Sequence, residues 1–243
     1  MARPVIERTP TGIPGLDELL GGGLPKGRTV TISGGPGTGK TTMGVQFLIK
    51  GIEAGENGLL VLMGEEARHV KENMLNFGWD LDRLQQEGKL TIIEFGPSKL
   101  SQTSISGLAN LIRIASFGVK RIVIDSITTL EYQVKDPFER RLAIMYLFET
   151  LSGTGSTSLV VAEMSYASPL ARKYEELEFL AHGNILLHVI PLREEHVLAL
   201  QITKMRGIEH DRELHPYKIT PQGIVVYPDQ RVFYYPATYT PPA

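Results

Sequence analysis

The eight residues Gly34-Gly35-Pro36-Gly37-Thr38-Gly39-Lys40-Thr41 constrain this chain more than any others in it. They fit the pattern G-x-x-x-x-G-K-[ST], and their flanks give the pattern its context. A strand-like run, Arg28 to Ser33, precedes them; helical spacing from Lys40 to about Ala54 follows and is stopped by Gly55. Each position answers to a physical demand. Glycines let successive backbone N–H groups turn toward one anion with no Cβ in the way. The helix that starts at the loop adds unpaired N–H groups and the positive end of its dipole. Lys40 can reach β- and γ-phosphates, and the Thr41 hydroxyl is a hard oxygen suited to Mg²⁺. Gly35, Pro36, Gly37, Thr38, Gly39, Lys40, Thr41 and Thr42 are therefore expected to bind ATP or ADP with magnesium, with Lys40 also among the catalytic groups.

The rest of the chain tells what surrounds this loop. From residue 28 onward, short apolar runs alternate with helical patterns, which predicts an α/β fold with a mostly parallel sheet flanked by helices. The runs Leu59 to Met63, Leu90 to Phe95, Arg121 to Asp125 and Leu159 to Ala162 read as strands. Ala67 to Phe77, Ile105 to Phe117 and Ala171 to Leu180 read as helices. Asp136-Pro137-Phe138-Glu139 opens another helix, with an acid at the cap, proline at the first position and Glu at the capping-box position; it runs to about Ser152. Asn184 to Ile190, Val197 to Thr203 and Ile224 to Tyr227 predict antiparallel strands at the C-terminal end. Residues 1–27 read as turns with a short helix at Gly15 to Leu20. The expectation is one domain over 1–243, its core at about 10–228 and a loose tail at 231–243.

Composition narrows the chemistry. With no cysteine in 243 residues, disulfides, thiolate catalysis and cysteine-held metals are ruled out. A net charge of −2 gives no general pull toward nucleic acid or acidic lipid, so nucleic-acid binding is possible but not favoured. No secretory leader or apolar run of membrane-spanning length is visible, and a cytoplasmic protein is expected. The six histidines, His69, His182, His188, His196, His210 and His215, do not pair at metal-ligand spacing.

Three further groups are candidates for the chemistry. Asp125 ends an apolar strand, where an acid can serve as the second magnesium-side group through a bound water. Glu65 and Glu66 follow the Leu59 to Met63 strand. A carboxylate there, at a strand tip beside the loop, can orient and activate an attacking water, or the pair can be a solvated start to the next helix. Lys204 and Arg206 stand two residues apart on an extended segment and so point the same way. They can aim at a phosphate held by another subunit, or lie in a solvated hairpin turn. Tyr174, Glu175, Glu176 and Glu178 read as a solvated acidic helix face.

Taken together, Gly12-Ile13-Pro14-Gly15-Leu16-Asp17-Glu18-Leu19-Leu20, the phosphate loop, Glu65-Glu66, Asp125-Ser126 and Lys204-Met205-Arg206-Gly207 resemble the KaiC-like ATPases, a branch of the RecA and RadA class. The resemblance covers about residues 10–228. It implies a RecA-like P-loop core, a homo-oligomeric and usually hexameric ring, and ATP at subunit interfaces. It implies that Glu65 and Glu66 include the catalytic carboxylate and that Lys204 and Arg206 contact nucleotide on the adjacent subunit. The clock members of the family carry two tandem domains, and one copy autophosphorylates a Ser-Thr pair. This chain has one domain, and Glu178-Phe179 occupies the matching stretch, so autokinase activity is not implied. The function expected is an ATPase of this group. The alternatives are a DNA-recombination ATPase and an ATP-switched regulator with little turnover; the protein partner is not specified. The stretch that would bind DNA sets Arg172 and Lys173 against Glu175, Glu176 and Glu178, and Glu163 stands where recombinases usually carry Gln or Asn.

Overall fold

The structure, a computed structural model, describes residues 6–96, 105–164, 176–192 and 195–233. Among the described residues nine strands form one sheet, in the order β11-β10-β9-β8-β3-β7-β6-β4-β5. Its parallel part comprises β3 (Thr29–Gly34), β4 (Asn57–Met63), β5 (Leu90–Phe95), β6 (Val119–Asp125), β7 (Thr157–Glu163) and β8 (Gly183–Leu192). The antiparallel part adds β9 (Glu195–Met205), β10 (His215–Thr220) and β11 (Gly223–Val226). The strand expected at Asn184 to Ile190 belongs to both regimes: β8 runs parallel to β3 on one side and antiparallel to β9 on the other. The first residues are more ordered than turns, since β1 (Arg8–Thr9) and β2 (Leu24–Pro25) pair as a small separate ladder around the short α1 (Leu16–Leu19).

Consecutive apolar residues in the strands feed two cores. In β4, Leu60 and Leu62 face one core, whereas Leu59, Val61 and Met63 face the other, as the two-residue period of a strand requires. The first core lies under α2 (Lys40–Glu53), α3 (Ala67–Leu75) and α4 (Leu81–Gln86). The second lies under α5 (Ile105–Ala115), α6 (Thr128–Gln133), α7 (Pro137–Gly153) and α8 (Glu176–Leu180). α7 starts as its sequence predicts: Asp136 accepts from the Glu139 N–H at 2.8 Å, with Pro137 at the first position. Of the helix expected over Ala171 to Leu180, only α8 lies within the described residues, and only residues 231–233 of the expected tail do. No helix of the described residues is long and apolar enough to cross a membrane.

Candidate functional site

β3 runs buried through the centre of the sheet and releases the chain at Gly34 on the C-terminal edge. α2 begins at Lys40 with Gly39 as its cap, at φ +81°, and no side chain caps it. The first-turn N–H groups are therefore left for something other than the chain's own side chains. Only glycine suits position 39: the backbone is left-handed, and a Cβ would stand 2.8 Å from Ile219 Cδ1. Lys40 Nζ donates to the Gly35 carbonyl at 2.9 Å, and Thr38 Oγ1 donates to the same oxygen at 2.8 Å. Pro36 and Gly37 are exposed, Gly35, Gly39, Lys40 and Thr41 half-buried, Thr38 and Thr42 buried. Burial lowers the Lys40 pKa, and the charges of Glu163 and Asp125 oppose that.

Asp125 ends β6 on the same edge. β7 lies between β3 and β6, so the acid stands on the next strand but one from the loop's own. It is nonetheless at the loop, because the Thr41 hydroxyl lies near enough to its carboxylate to lower its pKa. One oxygen, Oδ2, is buried with no hydrogen-bond partner among the described residues. Burial pushes the Asp125 pKa up to about 6; the Thr41 hydroxyl and Lys40 pull it down, while Glu65 and Glu163 push it up. The Asp125–Ser126 peptide is cis. An orphaned carboxylate oxygen beside a threonine hydroxyl fits a hard divalent cation. Among the described residues no three His, Asp or Glu side chains gather into a metal cage, so a cation here would keep mostly water and phosphate oxygens.

Glu65 and Glu66 are exposed, past Gly64, whose φ is +99°. Their strand β4 is three strands from β3 and next to β6, on the same edge as the loop. Glu65 is the member of the pair whose charge reaches Asp125, whereas Glu66 caps α3 by its backbone conformation alone. Thr129 Oγ1 donates to the Met63 carbonyl at 2.9 Å and so fixes the strand end that carries them.

Lys204 and Arg206 are not brought to this edge. β9 runs antiparallel to β8, so its C-terminal end lies where the parallel strands begin. Lys204 is level with Asn184 and, across β8, with Thr31. The Arg206 N–H donates to the His182 carbonyl, and the His182 N–H to that of Thr29, the first residue of β3. Thr29 and Gly34 are the two ends of β3, so at the ~3.3 Å rise per strand residue Arg206 sits about 16 Å, and Lys204, level with Thr31, about 10 Å along the sheet from the loop of its own chain. Both side chains reach α8. Lys204 Nζ donates to the Glu178 and Phe179 carbonyls at 2.7 and 3.1 Å, and Arg206 Nη2 to that of Phe179 at 2.8 Å. The solvated acidic face expected here is corrected at Glu178, which is 2% exposed, while Glu176 pairs with Arg141 at 3.3 Å. Arg172, Lys173, Tyr174 and Glu175 lie outside the described residues.

Sequence reading missed the loop's supports. The buried Tyr217 of β10 donates its hydroxyl to the Thr38 carbonyl at 2.6 Å. Gln46 of α2 makes two bonds to Ile224 of β11, at 3.1 and 2.7 Å. These contacts span almost 180 residues of chain, and no local pattern announces them. Glu163 had a signal, being an acid at the end of a strand.

The family "ATPase: KaiC" matches residues 9–231. A UPF0273 protein of Pyrococcus furiosus is 36% identical, covering 93% of this chain and 96% of that protein. The circadian clock oscillator protein KaiC of Synechococcus elongatus is 34% identical over 92% of this chain, which matches 44% of its length. A crystal structure of a KaiC-like protein from Pyrococcus horikoshii is 36% identical, with a TM-score of 0.81, covering 92% of this chain and all of that one. The mostly parallel sheet, the phosphate loop and these likenesses agree, and the chain belongs to the KaiC family of ATPases.

Proposed function

We propose that the chain is a magnesium-dependent ATPase that acts as one domain, with its core at about 10–228. It assembles into a ring in which one protomer's phosphate loop holds a nucleotide that the next protomer completes. Asp125 carries this reading: a buried acid beside Thr41, with Oδ2 lacking a partner among the described residues, at the edge where Gly34 to Lys40 open. The loop N–H groups and Lys40 bind the phosphates, with Gly35, Pro36, Gly37, Thr38, Gly39 and Thr42 shaping the loop. Thr41 and Asp125 hold magnesium, which when bound neutralises charge developing on the phosphate oxygens. Glu65, with Glu66 beside it, orients the attacking water. The position of Lys204 and Arg206 at the far edge supports action in trans: they cannot reach their own nucleotide, and a second copy can present one to them.

The test compares the wild-type chain with Lys40→Ala. Wild type should release phosphate from ATP only with Mg²⁺ and should assemble when ATP is added, whereas Lys40→Ala should lose turnover by at least ~100-fold. Binding and assembly without turnover above the variant would replace the enzyme with a nucleotide-switched regulator. A protein that stays monomeric with ATP and Mg²⁺ would end the shared-site reading.

A further inference from the structure

Three strands carry one polar row across the sheet. Thr31 of β3, Asn184 of β8 and Lys204 of β9 are cross-strand partners in register. Their side chains meet on the face covered by α8. Thr31 Oγ1 donates to Asn184 Oδ1 at 2.9 Å, and Asn184 Nδ2 donates to the Glu178 carbonyl at 3.0 Å. Lys204 Nζ donates to that same carbonyl. Thr31 is fully buried and Asn184 is 3% exposed. The register slips between Asn184 and Ile185, which leaves Thr203 as an extra residue on β9 immediately before Lys204. A bulge of this kind re-aims the side chain that follows it.

This row fixes more than packing. A five-residue helix such as α8 does not hold itself in place, so its carbonyls stand where tertiary bonds put them. The Glu178 carbonyl, which can only accept, sets the amide so that its NH₂ faces it, and the Thr31 hydroxyl donates to the Oδ1 on the other side and holds the amide there. The Glu178 and Phe179 carbonyls then receive both cations. Lys204 spends two of its three N–H groups on them, and Arg206 uses one of its five side-chain N–H donors on Phe179. Among the described residues the other donors of the two side chains make no further hydrogen bond, which leaves them for an anion.

We propose that Asn184 is a positioning residue for the shared nucleotide site. By fixing the Glu178 carbonyl it sets where Lys204, and through the adjoining Phe179 carbonyl Arg206, present their remaining donors to a phosphate held by a second copy of this chain. This rests on the shared-site reading above. Asn184 leaves the phosphate loop of its own protomer untouched, so its effect belongs to the neighbour.

That asymmetry gives the experiment. Asn184→Ala protomers keep an intact loop but donate badly placed cations; Lys40→Ala protomers bind no nucleotide productively but donate native cations. Alone, Asn184→Ala should lose on the order of tenfold in kcat with little change in KM. Mixed in equal amounts before ATP is added, the two should recover turnover well above the sum of the separate rates, approaching about a quarter of wild type, the share of interfaces that pair them in the productive sense. A mixture no faster than that sum overturns the proposal when the parallel mixture of Arg206→Ala with Lys40→Ala does recover. If that control also fails, the shared site itself is wrong and the role of Asn184 falls with it. Thermal melts check folding. Should Asn184→Ala not fold, Thr31→Val, which removes only the hydroxyl that holds the amide oxygen, takes its place and must show the same recovery with smaller amplitude.

Discussion

At the scale of single residues, Asp125 is the place where function works against the fold. Burial raises its pKa from the ordinary 3.8 to about 6, so holding it ionised costs the nucleotide-free protein on the order of 3 kcal/mol. Between pH 3.8 and about 6 the folded chain keeps a proton that the unfolded chain has released, so stability falls as pH rises through that window. Above it the whole cost is present, and below it none is. Asp125→Asn removes the titration while keeping an oxygen for the Thr41 hydroxyl. The variant should therefore be more stable than wild type at pH 7.5, by up to ~3 kcal/mol, and no more stable near pH 4. It should also lose magnesium-dependent nucleotide binding. Urea melts at the two pH values check this; an equal difference at both would mean that the buried charge is not the cause.

At the scale of elements, the C-terminal strands support the phosphate loop. β10 shares only two residue pairs with β9 before it turns to pair with β11, and within that divergence Tyr217 reaches the Thr38 carbonyl. Tyr217→Phe keeps the ring and deletes that one donor. It should cost ~1 kcal/mol of stability and weaken nucleotide binding several-fold, with kcat changed less than KM. A titration with a fluorescent ATP analogue measures the affinity; unchanged binding would separate β10 from the loop's function. The loop itself was legible in the sequence because its pattern is local: eight consecutive residues carry it. So were the buried strands and α7, whose Asp136-Pro137 start is spelled out in order. The elements α4, α6 and β10 were not legible, being about six residues each and held by tertiary contacts rather than by period or caps. Glu178 was misread because an acid in an acidic run reads as solvated, and only the folding of β8 and β9 over α8 shows it buried. The separation of Lys204 and Arg206 from their own loop depends on strand order, which no local pattern encodes.

At the scale of the whole molecule, the sheet has two chemically opposite edges. The C-terminal edge gathers Asp125, Glu65 and Glu163 around one lysine. The other gathers Arg28, Lys204 and Arg206 around His182, whose own pKa is lowered by burial first and then by those three cations. This opposition of charge suits the head-to-tail contact proposed above, one copy's cations against the next copy's phosphates, a heterologous contact of the kind that closes into rings. The free cationic edge is not at rest. Burial, then the charge of Arg206, lowers the Lys204 pKa to about 8, with Glu178 opposing. In the isolated protomer Lys204 therefore loses its charge as pH rises through 8. A neighbour's nucleotide favours the charged form, so above pH 8 assembly must take up a proton and weakens with each step toward alkaline pH. Replacing Lys204 with Arg keeps the charge throughout. ATP-dependent assembly and kcat/KM of the wild type should both fall between pH 7.5 and 9.5. In Lys204→Arg that alkaline fall should disappear even if the level at pH 7.5 is lower, because a guanidinium places its donors differently. Sedimentation across the pH series reads assembly and phosphate release reads turnover. An alkaline fall that survives unchanged in Lys204→Arg would assign the titration to another group and leave Lys204 without a part in joining the copies.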